Sequence, residues 1–145
     1  MNIDWNMVTS VATAIGVGIA AWQLWESRKL SASAFEDSFD EKYRQLAYSI
    51  PVEALLSKKV GLSKRSIARE WVYNYLDLSN EQVYLRKKHR VSYDRWIEWS
   101  KWMQQHLKRP FFKEVLEEVE QDSLETFSYL ERLINEDFKT DPAKW

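Results

Sequence analysis

The densest charge in the chain is the run Arg86-Lys87-Lys88-His89-Arg90, flanked by Tyr84, Tyr93, Arg95 and Trp96. Lys and Arg neutralise phosphates, and aromatic rings beside them can stack on bases. The chemistry open to Arg86, Lys87, Lys88, Arg90 and Arg95 is therefore contact with an anionic ligand: lipid headgroups, RNA or DNA phosphates, or a small nucleotide signal. The plainer reading is that these cations end a helix, where they complement its dipole.

Other reactive groups are sparse. Two histidines, His89 and His106, stand 17 residues apart and belong to no H-E-x-x-H or comparable ligand set, so no metal site is expected. The Arg-x-x-x-x-His pattern of helical ribonucleases would need arginine where Tyr84 and Lys101 stand. There is no cysteine, which removes thiolate chemistry and disulfides. Three glycines, two of them inside an apolar stretch, give no phosphate-cradling loop and no G-x-S-x-G elbow. Carboxylate neighbours such as Glu117 and Glu118 read as a solvated face. No catalytic residue and no cofactor is expected, and the chain reads as a non-enzyme.

The elements that would position these residues are helices. Only three Gly and three Pro in 145 residues, with 45% hydrophobic and 30% charged side chains, favour an all-α fold. Residues 5–25 carry no charge, and a helix of that length measures about 30 Å, enough to cross a bilayer. Asn6, Thr9, Thr13, Gly16, Ala20 and Gln23 recur every three or four residues along one stripe of it. Val8, Val11, Ile15, Ile19 and Trp22 gather opposite. A membrane helix with a polar, small-residue edge is suited to self-association: Thr, Asn and Gln bond across helices, and Gly16 and Ala20 permit close approach. More copies could line a lumen with the same residues. A buried soluble helix is the competing reading, since Asn6, Ser10 and Gln23 lower the hydropathy. Asp4 precedes the run while Arg28 and Lys29 follow it, which places the C-terminal side in the cytoplasm and the N-terminus outside. Trp5, Trp22 and Trp25 sit near its ends, where indole rings favour the headgroup boundary.

Beyond the anchor, no breaker occurs before Pro51, so the helix is expected to continue as a stalk through Phe35, Phe39, Tyr43, Leu46 and Ile50. Residues 51–56 read as a short helix and 58–63 as a connection. A long helix follows over 64–88, with Ile67, Trp71, Tyr75, Leu78 and Leu85 on one face. Ser92 can cap the next helix, which carries Trp96, Trp99, Trp102, Met103 and His106 as core or interface residues. Pro110 opens another with Phe111, Phe112, Val115, Leu116 and Val119 apolar. Asp122 and Glu125 form a capping-box pattern for a last helix burying Leu124, Phe127, Leu130 and Ile134. The expected organisation is a membrane helix at 1–27, a stalk and connection at 28–62, and a cytoplasmic bundle of about four to five helices at 63–145.

Charge is unevenly divided along this bundle. Residues 58–109 hold 13 Lys and Arg against 5 Asp and Glu, whereas 110–145 hold 4 against 10. Opposite halves can pair within the fold, between subunits, or with outside partners.

The segment Asn74-Tyr75-Leu76-Asp77-Leu78, then Glu81 and Tyr84, the basic turn, and Val91 with Trp96 and Trp99 resembles short bacterial single-pass membrane proteins with a helical cytoplasmic domain. The likeness covers residues 70–116 plus the anchor. That group includes small membrane effectors of antiviral defence systems, some of which assemble into oligomeric pores. The resemblance implies an inner-membrane homo-oligomer whose cytoplasmic bundle assembles or gates the membrane helices. Its partners would be the lipid bilayer, copies of itself, and a cytosolic protein or nucleotide signal. The alternative is a passive membrane-tethered adaptor that binds a cytosolic protein or nucleic acid through its basic half.

Overall fold

The computed structural model describes residues 5–122 and 125–145, with side chains from Ala12 onward. Every regular element in these residues is helical: α1 (Trp5–Ser49), α2 (Val52–Leu55), α3 (Leu62–Lys87), α4 (Tyr93–Leu107), α5 (Pro110–Asp122), α6 (Ser128–Asn135) and a 3-10 turn at Pro142–Lys144. The chain divides into two units, residues 1–37 and 38–145, and α1 contributes to both.

In the first unit Ile15, Val17, Ile19, Trp22, Leu24, Trp25 and Leu30 are each more than half exposed. Among the described residues no helix is long and apolar enough to cross a membrane. The uncharged residues with described side chains, 12–25, span about 21 Å against roughly 30 Å of hydrocarbon. The span expected from the sequence therefore also draws on residues 5–11, whose side chains lie outside the described set.

In the second unit, local signals set most helix boundaries. Pro51 ends α1, because the residue before a proline is pushed out of the helical region. Ser92 Oγ accepts from Arg95 N at 3.3 Å and caps α4, and Pro110 opens α5 at its first position. With glycine so scarce, other residues close the helix ends in the left-handed conformation: Ser57, His89 and Asp137 have φ of 56°, 55° and 52°. Behind them Lys58, Arg90 and Phe138 each donate back across the last turn, to Glu53, Leu85 and Leu133, at 2.8, 3.0 and 3.0 Å. His89, one of the five residues of the basic run, is thus a helix terminator.

The core is organised around α3, which contacts α4, α5, α6 and the 3-10 turn. Ala68, Val72, Leu76 and Val83 are fully enclosed, with Phe112, Phe127 and Leu130 packed to the same degree from later elements. Of the expected α3 face, Tyr75, Leu78 and Leu85 are buried, Trp71 is half-buried, and Ile67 is 56% exposed. The correction has a simple cause. A helix covered from several sides buries more than one stripe, and the stripe through Ala68, Val72 and Leu76 is the deeper one.

The expected capping box also needs correcting. Asp122 is the last residue of α5, Glu125 adopts φ 77°, and α6 starts only at Ser128; Leu124 lies outside the described residues. The cap comes instead from α3. Asn80 Oδ1 accepts from Tyr129 N at 3.1 Å and Leu130 N at 3.0 Å, two donors of the first turn of α6 that its own sequence leaves unpaired. This single side chain ties the start of α6 to the middle of the core helix. Asn80→Ala is expected to lower unfolding stability by about 1–2 kcal/mol, and Asp122→Ala by less than about 0.5 kcal/mol. Denaturant titration of the two variants checks this, and equal losses would contradict the assignment of the cap.

Candidate functional site

One member of the basic run, Arg86, is drawn into the fold. Arg86, 11% exposed in its side chain, donates from Nε to Asp141 Oδ1 at 2.8 Å, from Nη2 to Oδ2 at 2.5 Å, and from Nη1 to the Val91 carbonyl at 2.8 Å. Asp141 also accepts from Ala143 N at 3.0 Å. The Arg86 guanidinium, with the Ala143 N–H and the charge of Lys144 in support, holds the Asp141 carboxyl below its usual range despite partial burial. Asp141 in turn raises the pKa of Arg86. This fork fastens the C-terminal 3-10 turn to the end of α3. Lys87 and Lys88 lie over the rings of Tyr129 and Tyr84, at 5.0 and 5.6 Å, and Arg90 is exposed. Arg95 donates to Asp40 Oδ2 at 2.6 Å and approaches Glu98 at 3.4 Å.

Part of the remaining charge asymmetry is also matched within the fold. Arg65 pairs with Glu114 and Arg69 with Glu118, one turn apart along α3 and α5, and Lys64 meets Glu53 at 3.1 Å. Pairs as exposed as these contribute little to stability each. Their arrangement matches the basic segment to the acidic one helix against helix.

What Arg95 and Asp40 build is a cleft of about 210 Å³ between residues 40–44 of α1, α3 and α4. Asp40 accepts through both oxygens, from Arg95 on one side and from Trp99 Nε1 at 2.8 Å on the other. Trp99 is thereby fixed, with Phe39 tilted against it at 5.7 Å. Tyr43 and Tyr75 form one wall and Trp102 the rim, 51% exposed and 6.0 Å from the Tyr43 ring. Of the expected tryptophan series, Trp96 and Trp99 are core, and Trp102 is left open to the cleft. Gln82 of α3 also lines the cleft and is only 4% exposed.

Behind the wall His106 stacks on Tyr75 at 4.8 Å, with Phe112 at 5.4 Å and Tyr43 edge-on at 6.1 Å. Its Nδ1–H donates to the Trp102 carbonyl at 2.8 Å, the buried and hydrogen-bonded setting its place among the tryptophans implied. Burial lowers its pKa, with the nearby Arg109 charge adding to the effect and the hydrogen bond opposing it. The ring is therefore neutral packing. Burial raises the pKa of Tyr75 and of Tyr43, so both keep their hydroxyl protons. The cleft can offer stacking faces, an amide and a compensated ion pair. Among the described residues, no group of His, Asp or Glu could hold a metal ion.

Of the other site residues expected from sequence, Thr13, Gly16, Ala20 and Gln23 are exposed on α1, and Asn6 and Thr9 lie outside the described side chains. The cleft residues Asp40 and Gln82 form no motif. Gln82 could have been noticed as a polar residue four after Leu78 and three before Leu85, on a buried stripe. No family model, no curated protein and no solved structure matches this chain.

The fork at Arg86 separates a structural role from ligand contact. Arg86→Ala is expected to lower stability by about 2–4 kcal/mol, because it leaves Asp141 without its partner, whereas Lys87→Ala and Lys88→Ala should each change it by less than about 0.5 kcal/mol. Thermal and denaturant unfolding of the three variants makes the comparison. Three equal and small effects would contradict the structural assignment of Arg86.

Proposed function

We propose that this chain is a membrane-anchored, self-associating helical protein. In this reading residues 5–25 embed in lipid and meet copies of themselves along the Asn6, Thr9, Thr13, Gly16, Ala20 and Gln23 edge, and the 38–145 unit is carried on the cytoplasmic side. The observation that supports it is the exposure of Ile15, Val17, Ile19, Trp22, Leu24 and Trp25 on one helix. Apolar side chains exposed around the helix call for a cover, which lipid and neighbouring helices supply. Gly16, on that edge, supports it as well. A Cβ added there would meet nothing within 4 Å, so packing within the described chain does not require glycine at this position. Approach of a second helix backbone does give glycine a purpose. At the expected cytoplasmic boundary Lys29 Nζ lies 5.6 Å from the Trp25 ring, an aromatic and cationic pair suited to headgroups.

The 38–145 unit would assemble or gate the membrane helices. With enough copies the neutral Thr and Gln edge would line a lumen with little charge selectivity. The resemblance to small antiviral effectors gives this membrane-perturbing role its setting. Pairing of Arg86 with Asp141 and of Arg95 with Asp40 weighs against the adaptor reading through the basic half.

Full-length protein is expected in the membrane pellet after an alkaline wash, and in detergent as a discrete oligomer. Gly16→Leu combined with Gln23→Leu should reduce the oligomer to monomer and abolish ion release from loaded vesicles. Protein that stays in the supernatant without detergent would overturn the anchor. A membrane-bound monomer that releases nothing is the result for a passive tether.

A further inference from the structure

Gln82 is almost completely enclosed, yet its side-chain amide makes no hydrogen bond with any described residue. The amide is not sealed from solvent: it opens into the cleft that Gln82 lines, where it is available to a ligand or to water. The groups around it narrow what could answer it. No surplus cation faces the cleft: Asp40 and Glu98 both face Arg95, and Arg44 is held by Glu41 at 3.0 Å. A phosphate or carboxylate gains nothing there. Tyr43 and Trp102 present ring faces, which favour a flat π-system. The Gln82 amide carries a carbonyl acceptor and an NH₂ donor side by side, the complement of a planar edge bearing one donor and one acceptor.

We infer that the cleft between α1, α3 and α4 binds an uncharged planar heterocycle of the nucleobase type, stacked on the exposed ring of Trp102 and hydrogen-bonded edge-on by Gln82. The cleft's 210 Å³ admits a base and leaves an attached sugar at the open rim. This site is separate from the basic run, and the inference does not depend on the membrane reading, since the cleft lies wholly within residues 38–145.

The test is calorimetric titration of the full-length protein in detergent with adenosine, guanosine, cytidine and uridine, then with the corresponding monophosphates and a short single-stranded oligonucleotide. At least one nucleoside is expected to bind saturably below about 1 mM, with its monophosphate no tighter than about twofold, because no unpaired cation lines the cleft. Gln82→Leu should weaken that nucleoside by about tenfold or more. Trp102→Ala, at an exposed position that spares the core, should weaken it by a similar factor. Tighter binding of the oligonucleotide than of any nucleoside would identify nucleic acid as the source of the base; equal binding would identify the free nucleoside. Two results overturn the inference: no saturable binding of any of these ligands, which leaves a water-filled cleft, or nucleoside binding that both variants retain in full.

Discussion

The 38–145 unit depends on the enclosure of α3. Its Ala68, Val72, Leu76 and Val83 have no accessible surface, and four later elements lie against it. Small and β-branched side chains along this stripe let the neighbouring helices approach closely. On the covered faces of such a helix, polar residues are partnered across an element boundary or open into a cavity, while Glu70, Asp77 and Glu81 remain exposed on its outer side. Asn80 and Arg86 illustrate the first case, capping α6 and clamping the 3-10 turn. Gln82 illustrates the second.

This enclosure also explains the charge pattern. A basic α3 beside an acidic α5 would read, on either helix alone, as a surface for an outside partner. Packed together they align Arg65 with Glu114 and Arg69 with Glu118, and α3 carries Arg86 to Asp141 near the end of the chain. These charges are matched helix against helix. The surfaces left over are of two other kinds: the aromatic cleft at Asp40 and Trp99, and the exposed apolar residues of α1.

Features carried by neighbouring residues were legible in the sequence. The Ser92 cap, the Pro110 start, the stop at Pro51 and the buried state of Trp96, Trp99 and His106 all follow from a few adjacent side chains. What stayed hidden needed a partner far along the chain. Arg86 and Lys87 look alike in sequence, and only Asp141, 55 residues away, makes one a clamp and leaves the other at the surface. Asp122 and Glu125 carry the right letters for a capping box, but Asn80 satisfies α6 from 49 residues away. The cleft was illegible for the same reason, because Asp40, Gln82 and Trp99 lie on three different helices.

The uncharged helix remains the feature with the largest functional consequence. Its apolar residues from Ile15 to Trp25 are exposed, and Thr13, Gly16, Ala20 and Gln23 share one edge. Because the protein has no native cysteine, single cysteines can report which edge meets a second copy. Disulfide crosslinking in native membranes of Thr13→Cys, Gly16→Cys, Ala20→Cys and Gln23→Cys, compared with Ile15→Cys, Ile19→Cys and Trp22→Cys, is the direct measurement. Dimers are predicted for the first set and not for the second. Crosslinking at none of the seven positions, or equally at all of them, would contradict a self-associating helix with a defined contact edge.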